Sequence, residues 1–286
     1  MNRSIIILAV ATLLPLKVFA QSADAGISSL ENELRDRWRH SIMLTYVYGT
    51  SGGAGDSTQQ NMKYYSLVLS GEAQIFSGTS VWASLPLNQQ DGLLGSVTGI
   101  GDLLVIVNQK LFSISGADIS LGVGGRFATA TVTTDHLPQA YQSGLGSNDL
   151  LVDADMISKN INFGIGYQLA GSRNVNNFTQ LKRGDEFIVR GGYTYRGDSF
   201  DLGGELLAVE PLQQSSVINP VSQSGDFVNV VGSDKLQLSM LLKARYNFNG
   251  TFAVTGTLGF PFSERTVNVD GLARSLSASL GAALDL

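Results

Sequence analysis

The 286-residue chain is 15% charged and 43% apolar, with a mean hydropathy of +0.11; an average soluble protein is about 25% charged. It has no Cys and 2 His, which excludes a disulfide framework and a Cys-rich zinc site. An isoelectric point near 5.0 speaks against a nucleic-acid partner, and beyond residue 20 no apolar run reaches the ~18 residues of a membrane-spanning helix.

The first element is an address. Asn2-Arg3 gives a positive start, Ser4 to Leu14 is mostly apolar, and Val18-Phe19-Ala20 precedes Gln21 with small or modest residues. This pattern predicts a secretory signal over residues 1–20, removed on export; the alternative is a buried N-terminal helix. Loss of Arg3 and Lys17 takes the net charge from −5 to −7. Residues 21–40 come next as a periplasmic leader. Within it Ile27, Leu30, Leu34 and Trp38 recur at three- and four-residue spacing among charged residues, which predicts a short amphipathic helix. It either enters or caps the periplasmic mouth of the domain formed by residues 41–286, or lies loosely against its rim.

Residues 41–286 alternate. Leu236, Leu238, Met240, Leu242, Ala244, Tyr246 and Phe248 are apolar, and between them stand Lys235, Gln237, Ser239, Leu241, Lys243, Arg245 and Asn247. A strand with period two has one oily face and one polar face. Such segments begin near Ser41, Tyr64, Thr79, Asp102, Asp118, Asp149, Ile161, Asp185, Phe200, Lys235, Thr251 and Arg274. They run roughly 10–14 residues, where soluble strands have a mode of about 5–6; a tilted strand across a bilayer needs about 9–11. The connections take turns. Short ones (77–78, 113–117, 159–160, 197–199, 249–250) alternate with long ones (50–63, 88–101, 131–148, 171–184, 210–234, 263–273). Short turns on one side and long loops on the other are the pattern of outer-membrane barrels.

Aromatic residues support the assignment. Tyr193, Tyr195, Phe200, Tyr246, Phe248 and Phe252 fall beside short turns; Tyr46, Tyr48, Tyr65, Phe127, Phe187, Phe260 and Phe262 fall beside long loops, all on the oily side. They predict two girdles, one at each membrane interface. The fold expected is all-β, a transmembrane antiparallel β-barrel of about twelve strands, closed because an open sheet would leave unpaired backbone in hydrocarbon. A secreted soluble barrel with a ligand cavity is the alternative.

If the oily face meets lipid, the other lines a lumen. It carries Glu72, Lys110, Arg126, Asp153, Asp155, Glu186, Arg190, Arg196, Asp201, Glu205, Lys235, Lys243 and Arg245. Mixed signs point to cross-strand pairing, to a charge-ringed solute path, or to both. Ile106, Leu151, Ile188 and Leu241 make the interior unevenly wet. Nucleophilic hydrolysis needs a histidine beside a nucleophile. His40 and His136 stand apart and without a serine motif, so no catalytic, cofactor or metal site is expected.

Ser84-Leu85-Pro86-Leu87, a variable loop, then Thr98-Gly99-Ile100-Gly101-Asp102-Leu103 resembles the MetA-pathway phenol-degradation family of outer-membrane transporters. There a Leu-Pro ends one strand and a Gly-hydrophobic-Gly-Asp opens the next. The tight motif covers some twenty residues; the organisation extends over residues 41–286. The resemblance implies passage of small, often aromatic or hydrophobic compounds; a channel or facilitator driven by their gradient, with no cofactor, is the function expected. Expected partners are outer-membrane lipid, a small-molecule solute and the barrel-assembly machinery. One departure bears on assembly: the sequence ends in Leu286, where barrel proteins usually end in an aromatic residue read by that machinery. From a different class, a structural barrel whose loops 131–148 and 210–234 bind a partner is also open.

Overall fold

The computed structural model describes residues 40–51, 62–219, 225–263 and 274–286. The signal segment and the leader up to residue 39, with its predicted helix, lie outside the described residues, as do most of the 50–63 loop and residues 264–273.

Twelve antiparallel strands succeed one another: β1 (His40–Ser51), β2 (Met62–Phe76), β3 (Thr79–Gly92), β4 in two halves (Gly95–Ile100 and Leu103–Ile114), β5 (Ala117–Phe127), β6 (Asp149–Ile157), β7 (Ile161–Leu169), β8 (Glu186–Arg196), β9 (Phe200–Pro211), β10 (Gln237–Asn247), β11 (Phe252–Ser263) and β12 (Arg274–Asp285). Each pairs with its sequence neighbours. The last closes on the first, with Met43 opposite Ala283 and Tyr48 opposite Ala278. Closure gives the strands backbone partners on both sides; the first half of β4 pairs with β3 alone.

The direction of the oily faces decides the architecture. Leu238, Leu242, Leu280 and Leu284 are 40%, 41%, 63% and 47% exposed, while Arg245 is buried. The apolar stripes therefore face outward and the polar stripes inward. In water an apolar belt this continuous would far exceed the patch a soluble monomer exposes; against acyl chains it carries no such cost. Rings meet at the strand ends on this outer surface. Tyr48–Tyr65 and Phe260–Phe262 lie 5.2 and 5.5 Å apart beside the long loops, and Tyr246–Phe248 and Tyr195–Phe200 lie 4.8 and 5.9 Å apart beside short turns.

The turn between β4 and β5 is tight because of its backbone. Ser115 and Gly116 both have positive φ (51° and 82°), the conformation of a two-residue hairpin whose twist matches its strands. Two expectations change. The 88–101 connection is not a loop: β3 runs on to Gly92, turns at Leu93-Leu94, and pairs back with the first half of β4 as far as Leu87 opposite Ile100. Its polar residues Asn88, Gln89, Gln90 and Asp91 read as a loop because they extend the hairpin beyond the apolar belt. Lys235 is also not in a strand, since β10 starts at Gln237. Residues 128–148 hold two single-turn 3-10 segments, Thr134–His136 and Gln139–Tyr141. A small hairpin, Ser216–Ile218 with Phe227–Asn229, sits in the 212–236 loop. No helix among the described residues is long and apolar enough to cross a membrane.

Candidate functional site

The interior surface is built by alternation. Glu72, Arg126, Asp155, Arg190, Asp201, Glu205 and Arg245 are buried on the inward side of their strands; Asp153, Glu186, Arg196 and Lys243 are half-buried there. Lys110 and Lys235 are exposed at opposite ends of the barrel. Lys110 holds Asp118 at 2.6 Å beside the 115–116 turn.

The buried charges answer one another across strands. Arg190 on β8 reaches both carboxylate oxygens of Asp155 on β6, at 2.7 and 2.8 Å. This pair passes over β7 at Gly164, which sits opposite both residues. A Cβ there would lie 2.2 Å from Asp155 Oδ1 and 2.6 Å from Arg190 Nε, so only glycine leaves the path open. Lys243 Nζ and Asn162 Nδ2 donate to Glu205 at 3.2 and 2.8 Å. Asp201 stands opposite Arg196 on one side and Arg245 on the other. Asn162, Arg196, Asp201, Glu205, Lys243 and Arg245 line a recess, open to solvent, at the short-turn end between β7 and β10.

Asp149 is a node, although in the sequence it reads only as the start of a strand. It accepts from Arg126 at 2.8 Å, from Gln168 at 3.0 Å, from the Gly171 N–H at 2.9 Å, and from Arg183. Arg183 belongs to the 170–185 loop, so the node ties that loop to the wall. Its members lie far apart in sequence and none repeats a motif.

Apolar residues also line the interior. Met43, Trp82, Leu104, Ile106 and Ala283 form a buried cluster joined by Leu151, and Leu207 and Val209 form another with Ile188. Ile106, Leu151, Ile188 and Leu241 are legible from the sequence. Trp82 is the interior residue that sequence reading passes over, although Ser80-Trp82-Ser84 places it on the polar parity.

At the long-loop end, residues 128–148 fold over the mouth. Tyr141 is buried among Met62, Tyr64, Val97 and Ala140, and its hydroxyl accepts from the Leu94 N–H at 3.1 Å. Asn88 Nδ2 donates to the Ser143 carbonyl at 2.5 Å. The Asp102 carboxylate accepts from the backbone N–H groups of Ala130, Leu145 and Gly146 at 3.1, 2.6 and 3.2 Å. A Cβ on Gly101 would lie 2.7 Å from Pro86 and 3.0 Å from the Ser143 carbonyl. The Leu85-Pro86 and Gly99 to Asp102 motif is thus the seat of this loop. Asp102→Ala leaves three backbone donors without their acceptor, at about 1–3 kcal/mol for each that stays buried. Limited proteolysis of the folded barrel should then cut within 128–148 several-fold faster; an unchanged rate would mean that the other anchors, Tyr141 and the Asn88–Ser143 bond among them, hold the loop.

His136 Nδ1 lies 3.3 Å from Asn177 Nδ2 between two loops. Among the described residues no three His, Asp or Glu stand together as a metal set.

No family model matches the chain, and no curated protein is similar to it in sequence. Solved structures are similar in fold. An outer membrane channel from Pseudomonas putida F1 superposes with a TM-score of 0.63 at 12% identity, over 88% of this chain and 96% of that one. The translocator domain of the autotransporter NalP from Neisseria meningitidis gives 0.50 at 10% identity, over 94% and 99%. The architecture is that of outer-membrane barrel proteins.

Proposed function

We propose that the chain is an outer-membrane channel or facilitator through which small molecules pass down their gradient. The observation that carries this reading is the interior: a wall of paired charges interrupted by apolar clusters, opening into the recess lined by Arg196, Asp201, Glu205 and Lys243. A barrel serving only as an anchor has no need of a graded interior. The fold likeness to a bacterial outer membrane channel supports the reading. The resemblance of Ser84 to Leu87 and Thr98 to Leu103 to the MetA-pathway phenol-degradation family supports small aromatic or hydrophobic compounds as the cargo, and the apolar clusters suit such solutes. The other partners proposed are outer-membrane lipid around the belt and the assembly machinery that inserts it, after removal of residues 1–20.

Liposome swelling tests the reading. Barrels refolded into vesicles should admit aromatic acids faster than sugars of similar mass. Flux no greater than in empty vesicles would favour a second reading, a surface-interaction barrel. That reading draws on Val175, Phe178 and Val231, which stand exposed on the long loops at 71%, 53% and 79%.

A further inference from the structure

We propose that the recess at the short-turn end holds the carboxylate of a small organic acid over Gly203, between Lys243, Arg196 and Arg245, with Ile157 as the seat for its apolar body. Inward glycines in this part of the barrel let side chains from the two flanking strands meet. Gly164 carries the Asp155–Arg190 pair in this way. Gly192 does the same on β8. It stands opposite both Asn162 and Glu205, whose 2.8 Å bond passes over it; a Cβ there would lie 2.7 Å from Asn162 Oδ1 and 3.1 Å from Glu205 Cβ. Gly203 on β9 is flanked likewise, by Thr194 and Lys243. A Cβ here would meet Thr194 Oγ1 at 2.9 Å and the Tyr193 carbonyl at 3.3 Å, while Lys243 leans away to Glu205. Glycine thus leaves a floor where its neighbours leave a bridge, and the floor belongs to the recess.

The lining gives the floor its sign. Arg196, Lys243 and Arg245 stand against Asp201 and Glu205 around the recess, a surplus of positive charge in a chain whose net charge is −5. Charge between low-dielectric walls concentrates ions of the opposite sign. Arg245 is buried and the Lys243 side chain is 11% exposed, so the field acts with little screening by water. A carboxylate takes hydrogen bonds from guanidinium and ammonium groups together, and the Thr194 hydroxyl at the edge of the floor is a further donor. Ile157 lines the same recess, opposite Asn162, and gives an apolar surface that a bare inorganic anion would not use. The class of ligand is therefore a monocarboxylate on an apolar body. The channel reading supplies only the site's place on a solute path, beside the short-turn mouth; binding itself needs no flux.

Benzoate, benzyl alcohol and benzylamine share a ring and differ in charge at neutral pH. Calorimetry of each with the chain from residue 21 refolded in micelles, after subtraction of protein-free micelles, reads the site. Benzoate should bind at least about tenfold more tightly than the other two; equal affinities, or no benzoate binding, overturn the proposal. Gly203→Val keeps every charge and fills the floor, and should weaken benzoate at least about tenfold; unchanged benzoate affinity also overturns the proposal. Should Gly203→Val not fold, Thr194→Cys takes its place, in a chain that has no other Cys. Benzoate should slow its reaction with an anionic thiosulfonate and benzyl alcohol should not; equal slowing by both, or by neither, overturns the proposal. Selective benzoate binding without solute flux would remove the channel reading and keep this one; flux without selective binding would do the reverse.

Discussion

Asp149→Ala is expected to destabilise the folded barrel by about 3–5 kcal/mol, the effect of removing one partner from a buried ion pair. The carboxylate has no exposed surface, and the Arg126 and Arg183 side chains beside it are 4% and 10% exposed. Without it two guanidinium groups lose the carboxylate they share in a buried space, and Gln168 and the Gly171 N–H lose their acceptor. Arg183→Ala should cost less, because Asp149 keeps Arg126 and its neutral donors. Urea midpoints of barrels refolded in phospholipid vesicles give the ordering. Asp149→Ala within about 1 kcal/mol of the parent, below the range for breaking such a pair, would show that the arginines find other partners.

Leu242→Arg should cost about 2–4 kcal/mol, the penalty for a cation on the lipid face near the bilayer midplane. Its neighbour Lys243 makes the comparison a sharp one. One residue along the strand, the native chain already holds a cation, on the inward side and bonded to Glu205 at 3.2 Å. Leu242 itself is outward and lies opposite Gly204 and Leu258 in the middle of the sheet. The same vesicle titration reads the effect. Leu242→Arg as stable as the parent would mean that this face meets water, and the membrane-spanning assignment would fall with it.

The two substitutions touch different kinds of information. Leu242 is placed by alternation, which needs nothing beyond sequence neighbours. Asp149 is placed by contacts among residues 126, 149, 168 and 183, which no local pattern connects. The same divide separates Ile106 and Leu241, legible as inward apolar residues, from Tyr141, buried only because its loop folds back over the mouth. The motif from Thr98 to Leu103 stands out in the sequence. Its purpose as the seat of residues 128–148 emerges once Asn88, Asp102 and Ser143 are brought together.

Strand number, strand direction and the facing of most strand side chains were determined by the sequence itself. A period of two and the alternation of loop lengths are local and repeat along the whole barrel, so one irregular hairpin does not disturb them. Which charges pair, where the long loops settle and how the interior is divided into apolar and charged walls were decided by tertiary structure alone. These depend on the register and closure of the barrel. Closure sets Met43 opposite Ala283, and register carries Arg190 over a glycine to Asp155, contacts whose partners are separated by 240 and 35 positions.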